Sequence, residues 1–208
     1  MKKILIVTGD PNSINSEIIF KVWKKMKDPL KKKVFFISNY DLIKKQFKLL
    51  KYKINPIKVS NIEITNKKFK ILNINLKFNN PFNVDKKNAS KYVLSSFNMA
   101  HRIALSSKIA GIINCPVNKE LLSKKNYGIT ELLASKCKIK RNTEVMLIKN
   151  KKLSVSPITT HVDIKDVSKS INKKLIISKI LTINSWFLKR NKRKAKIGIL
   201  GLNPHNGE

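Results

Sequence analysis

Apolar and polar positions alternate between two periods along this chain, and the alternation predicts a repeating strand–helix order. Ile4–Val7 is a short apolar run closed by Gly9–Asp10–Pro11, which reads as a strand and a turn. Ile14–Met26 then carries helical spacing. Val34–Ile37 reads as a second strand, and Asp41–Leu50 as a helix with Asp41 placed to cap it. From Pro56 to Asn83 the pattern loses its period, and an antiparallel excursion is expected there.

The pattern sharpens after Asp85, a good N-cap residue. Ala89, Tyr92, Val93, Phe97, Ala100, Ile103 and Ala104 fall on one stripe at helical spacing, with His101 beside it as a boundary or surface histidine. Ile109–Ile113 reads as a buried strand. It must stop at Asn114–Cys115–Pro116, because proline cannot donate to a ladder. Gly128–Glu131 turns into a further helix for which Thr130 is a plausible cap. Val145–Ile148 and Leu153–Ile158 read as a strand pair joined at Lys149–Lys152. One long helix is expected from Ile164 to Lys189, burying Val167, Ile171, Leu175, Ile180, Ile183 and Phe187, and a last strand at Lys196–Leu200.

Strands alternating with helices predict an α/β fold, mostly a parallel sheet with helices on both faces. The sequence marks no internal boundary within 1–208. Four polar loops each follow a predicted strand: Gly9–Asp10–Pro11, Cys115–Lys119, Thr159–Thr160–His161 and Gly201–His205. In a parallel sheet such loops share the carboxyl edge, where ligands bind. His161 and His205 are two of three histidines, and a pair of imidazoles on one rim begins a divalent metal site. A catalytic zinc ordinarily takes three protein ligands and a water.

Composition changes the picture in one respect. A hydrophobic content of 42% is ordinary, but the net charge is +33. That invites a polyanion partner. Yet 41 of the 45 basic residues are lysine, spread along the chain, and only four are arginine, the residue suited to bidentate base and phosphate contacts. Lysine, isoleucine and asparagine, all with A/T-rich codons, are inflated together. Codon bias accounts for this set, so no specific nucleic-acid partner is expected, and any DNA or RNA binding should be weak, sequence-blind and lost with salt. The two cysteines, Cys115 and Cys137, are too few and too far apart for a disulfide framework or a cysteine-only metal site. Reduced thiols in a cytoplasmic protein are expected, with Cys115 a small buried residue in preference to a nucleophile. No run approaches the roughly 18 apolar residues of a membrane span.

The segments GDPNSINSEI, NCPVNKE, GITELLA, ITTHVDIKDV and GLNPHNGE, in this order and spacing, resemble the 4-hydroxythreonine-4-phosphate dehydrogenase family of vitamin B6 biosynthesis. The resemblance implies an isocitrate/isopropylmalate dehydrogenase-like fold with two α/β/α lobes, a homodimer, and an active site in the cleft at the dimer interface. It implies oxidation of a phosphorylated hydroxy amino acid by NAD or NADP, followed by loss of CO₂. A divalent metal (Zn, Mg or Co) would act as Lewis acid on the substrate hydroxyl. His161 and His205 match the family's metal histidines, and Thr130 matches the threonine of its Gly-His-Thr-Glu substrate turn. Catalytic and cofactor-binding residues are not assigned.

Three departures qualify the match. Ile129 stands where the turn's histidine belongs, and an aliphatic side chain neither donates nor accepts. Ser13 and Asn15 replace two glycines of the family's GDPAGIG, which questions that backbone. The family's third metal histidine, and a Lys, an Asn and an Arg that hold the substrate, lie beyond Glu208. The expectation is a C-terminally truncated member, incomplete in fold, with an inactive or binding-only protein as the alternative.

Overall fold

The computed structural model describes residues 2–122, 128–137, 143–160 and 162–203. Its contacts divide the chain into two units, Met1–Asn126 and Tyr127–Glu208.

The first unit is a five-stranded parallel sheet in the order β3-β4-β2-β1-β5. The strands are β1 (Lys3–Val7), β2 (Val34–Ser38), β3 (Pro56–Val59), β4 (Phe69–Asn73) and β5 (Ile109–Asn114). Helices α1 (Asn15–Lys25), the single turn α2 (Asp28–Lys31), α3 (Tyr40–Leu49) and α4 (Lys86–Ala104) connect them. The α/β class and parallel sheet are as the periodicity predicts.

Every residue of β2 is buried, as expected of a strand covered on both faces. On one face Ile6, Phe36, Phe69 and Ile71 meet Ile19 and Trp23 of α1 and Ile43 and Phe47 of α3. The rings of Phe36 and Phe69 stack 3.9 Å apart, with Trp23 edge-on to both. Residues of the other parity, Leu5, Val7, Phe35 and Ile37, are buried too. Helix α4 packs against β1, β2 and β5 and buries Ala89, Tyr92, Val93, Phe97 and Ala100, five positions of the predicted stripe. Asp85 caps it, accepting from Asn88 N at 2.9 Å.

Several expectations need correction. The cap of α3 is Asn39, which accepts from Leu42 N at 2.8 Å, while Asp41 sits in the first turn, where its charge suits the helix dipole. The stretch after Pro56 is no antiparallel excursion: β3 and β4 pair in parallel at one end of the main sheet. Strand β5 is an edge strand in which only Ile109 is buried, and Ile113 is 55% exposed. An unbroken apolar run looks the same at an edge as at the centre of a sheet.

The irregularity around β4 has a chemical cause. Lys70 lies mid-strand with no exposed surface, and its ammonium donates to the backbone carbonyls of Asn66, Lys31 and Lys32 at 2.7, 2.9 and 3.2 Å. Burial, helped by the nearby charge of Lys3, pushes its pKa down to about 8. A lysine whose folded pKa lies below its unfolded value leaves more protons on the unfolded chain between the two. Stability should therefore rise as pH climbs from about 8 towards 10.5, and be lost as it falls back through 8. Thermal melts across that range should show a positive slope that Lys70→Met removes. Equal slopes in the two proteins would refute this.

The second unit contains α5 (Ile129–Lys136), the antiparallel pair β6 (Ile148–Lys149) and β7 (Ser154–Val155), α6 (Ile164–Ser170) and α7 (Lys173–Asn191). The predicted hairpin is present but shorter. Its turn is fixed by Asn150, whose side chain accepts from Lys152 N and Leu153 N. The predicted single helix from Ile164 is two, because Asn172 begins a new one by accepting from Leu175 N at 2.9 Å. The predicted stripe of Val167, Ile171, Leu175, Ile180, Ile183 and Phe187 is half-buried throughout. Lys196–Leu200 forms no strand, since no described strand lies alongside to pair with it, and Leu200 is 92% exposed. Among the described residues no helix is long and apolar enough to cross a membrane.

Candidate active site

In the first unit the chain leaves β1 through α1 to β2 on one side and reaches β5 on the other through α4. Strand order thus reverses between β1 and β5, and the crevice at their carboxyl ends is where open α/β sheets bind ligands. Two of the four predicted loops meet there. Cys115 N donates to Val7 O at 2.9 Å and Asp10 N to Pro116 O at 3.1 Å. Asn15 Nδ2 donates to Asp10 O and Pro116 O at 3.1 and 2.8 Å.

Gly9 adopts φ +73°, and a Cβ there would lie 2.4 Å from Pro116 O and 3.0 Å from Cys115 O. Carbonyl oxygens of the neighbouring loop fill the space over Gly9, so only a residue without a Cβ fits there. Ser13 and Asn15 have no positive φ, so neither position requires the glycine of the family pattern. Asn15 instead supplies the side chain that ties the two loops together. Beneath them the hydroxyls of Thr8, Ser38 and Tyr92 form a buried triangle of 2.7, 2.9 and 2.9 Å. Burial pushes the Cys115 thiol up to about 11, which keeps it protonated and makes it a poor nucleophile. Neither Cys115 nor Cys137 is in a disulfide; the first is buried and the second exposed.

The second unit holds a cavity of about 170 Å³. Thr130, Glu131, Glu144, Thr159, Thr160, Ser170 and Lys179 supply its polar lining. Met146, Ile158, Val162 and Leu175 add apolar wall. Thr130 does not cap α5: the cap is Gly128, and Thr130 is an exposed first-turn residue at the cavity. Glu131 folds back over Gly128, its Oε2 2.8 Å from where a Cβ of residue 128 would sit. That oxygen and Glu144 Oε2 are buried with no hydrogen-bond partner. Lys179, 7% exposed, gives one N–H to Glu144 O at 2.8 Å.

The structure thus brings Thr130 together with Thr159 and Thr160, as it brings the first two loops together. His161 and His205 lie outside the described residues. Glu131, Glu144 and Lys179 escaped the sequence reading, although one signal was present: Lys179 falls on the apolar stripe between Leu175 and Ile183, where a charge needs a reason.

Compared with known families, residues 30–208 match the model of the pyridoxal phosphate biosynthetic protein PdxA. The chain belongs to the PdxA family. A PdxA relative named 4-hydroxythreonine-4-phosphate dehydrogenase, from Sulfurihydrogenibium sp. (strain YO3AOP1), is 32% identical over 99% of this chain. The chain spans 64% of that relative's length. The crystal structure of 4-hydroxythreonine-4-phosphate dehydrogenase from Klebsiella pneumoniae superimposes on the whole chain with a TM-score of 0.84 at 24% identity, over 66% of its own length. That likeness establishes the PdxA fold. A Bradyrhizobium diazoefficiens relative, 31% identical over 57% of this chain and 34% of its own, carries the name of a D-threonate 4-phosphate dehydrogenase.

By the resemblance a metal would meet imidazole donors, which suit zinc better than magnesium. Among the described residues no group of three or more His, Cys, Asp or Glu is placed to hold a metal. The assignment therefore rests on His161 and His205 alone.

Proposed function

We propose that this chain carries part of a 4-hydroxythreonine-4-phosphate dehydrogenase site, and that the 208 residues alone turn over slowly. The carbon bearing the substrate hydroxyl gives its hydride to NAD or NADP, the hydroxyl gives up its proton, and the resulting keto acid loses CO₂. The observation that carries this reading is the cavity of the second unit, where Thr130, the residue matched to the family's substrate turn, lies with Thr159 and Thr160, which directly precede His161. The threonine hydroxyls can donate to and accept from a polar substrate. The half-buried Ile158 and Leu175 restrict water on one wall. A divalent metal held by His161 and His205 would supply Lewis acidity, and a homodimer would complete the cleft.

The test is metal binding, which needs no turnover. With a chromophoric chelator as competitor, the 208-residue chain should take up zinc, and His161→Ala and His205→Ala should each weaken uptake by at least about tenfold. Uptake unchanged in both variants would remove these histidines from the metal site. So would a structure with their imidazoles more than about 10 Å apart, since each must come within about 2.1 Å of one ion.

One observation favours a second reading, a protein that binds substrate without converting it: Ile129 opens α5 beside Thr130 with no polar atom to offer. Substrate binding without NAD(P)H formation would support it.

A further inference from the structure

Positive charge in the second unit gathers at one end of α7. Six of the eight residues from Lys189 to Lys196 are basic, and all six are exposed. No aspartate or glutamate occurs between Asp166 and Glu208. The segment stays against the helix: Lys192 turns the chain at φ 56°, and Ala195 N donates to Asn184 Oδ1 at 3.1 Å. The β6–β7 hairpin brings Lys149, Lys151 and Lys152, also exposed, to the same helix end through an aromatic ring. Lys149 Nζ lies 5.5 Å from the centre of the Trp186 ring, and the Arg190 guanidinium lies 5.4 Å from it. Codon bias raises lysine along the whole chain. It gives no reason for two of the four arginines, Arg190 and Arg193, to lie beside or just beyond the exposed one of two tryptophans.

Such a patch favours a chain of closely spaced negative charges over a single anion, because each phosphate neutralised releases a counterion. An exposed ring flanked by cations is also a stacking platform for a base, whichever base it is. A bilayer would ask for aliphatic side chains on the cationic face. Here the exposed Ile148 and Val155 pair across the hairpin, on the face opposite the Lys149 side chain that meets Trp186. We propose that the end of α7 and the β6–β7 hairpin form a sequence-blind surface for single-stranded nucleic acid. Its phosphates lie on the cations of Lys189–Lys196 and a base stacks on Trp186. None of these residues lines the cavity of the second unit, so this binding goes beyond the dehydrogenase reading.

The experiment is fluorescence anisotropy of labelled oligouridylate and oligoadenylate, each of about 15 nucleotides, titrated with the 208-residue chain. Both should bind with similar affinity in about 50 mM salt. The logarithm of the affinity should fall against that of salt with a slope of about −4, as six phosphate contacts on a single strand imply. Lys189→Gln, Arg190→Gln and Arg193→Gln combined should weaken binding at least about tenfold and flatten the slope by about 2. Lys24→Gln, Lys25→Gln and Lys48→Gln combined remove the same charge from exposed positions of the first unit and should change neither. Tryptophan fluorescence should fall on binding, and Trp186 is its source, since Trp23 is only 6% exposed. Trp186→Leu should abolish that change and weaken binding about fivefold.

No binding of either oligonucleotide, equal losses from the two triple variants, or binding without a change in tryptophan fluorescence would overturn the proposal. So would binding of phosphatidylglycerol vesicles in place of the oligonucleotides, which would give the surface to a membrane.

Discussion

Gly9→Ala should lower the unfolding free energy of the first unit by about 2–5 kcal/mol. The backbone there sits at φ +73°, a region that costs an L-residue with a Cβ roughly 1–2 kcal/mol. The new methyl would also fall 2.4 Å from Pro116 O and 3.0 Å from Cys115 O. Both are backbone atoms and cannot swing aside, so the Cys115–Lys119 loop must move, at a further 1–3 kcal/mol or so typical of overpacking. Three hydrogen bonds cross that junction, from Cys115 N, Asp10 N and Asn15 Nδ2. Urea denaturation should show the midpoint falling with the slope unchanged. A loss under about 0.5 kcal/mol, the scale of an ordinary surface substitution, would mean that this junction does not hold β1 and β5 together.

Why the same junction was half legible in the sequence follows from its chemistry. Gly9–Asp10–Pro11 after an apolar run announces a turn at a strand end, and Pro116 announces where β5 must stop. Neither says that the turns touch, because the contact is made by a backbone carbonyl and by Asn15, whose amide replaces a glycine of the family pattern. The regular elements were legible where a local signal marks them, as the short apolar runs of β1 and β2 do. The stripe from Ala89 to Ala100 and the cap at Asp85 both come from local rules, and α4 follows them.

Elements with an unusual partner were not legible. Lys70 breaks the apolar pattern of β4, yet the strand is buried because three carbonyls receive its ammonium. Lys196–Leu200 has the composition of a strand and makes none, since a strand is defined by a neighbour that its own sequence does not encode. In the candidate site the threonines were found through motifs. Glu131, Glu144 and Lys179 come together from a helix start, a loop and a second helix, a juxtaposition that only the fold creates.

The largest effect is expected in turnover. Supplied with zinc, NAD⁺ or NADP⁺ and 4-phosphooxy-L-threonine, the 208-residue chain should form NAD(P)H at less than about a thousandth of the rate of the Sulfurihydrogenibium relative assayed alongside. The first reason is Ile129. Removing one oriented polar contact to a reacting group commonly costs about 2.7–4 kcal/mol of transition-state stabilisation, or roughly 10²–10³ in rate. The second is length: the chain spans 64% of that relative, and by resemblance the remainder carries the third metal histidine and the Lys, Asn and Arg that hold the substrate. Such losses need not add, since groups that act together are not independent. Ile129→His separates the two causes. Ile129 is half-buried at the first position of α5, where an imidazole can reach the same surroundings without breaking the helix. If the side chain limits the rate, the variant should recover at least about tenfold; if the remaining third limits it, the variant should stay flat until that third is supplied in trans. Metal-dependent turnover by the unaltered chain at a rate near the relative's would sink both explanations, and with them the importance attached to residue 129.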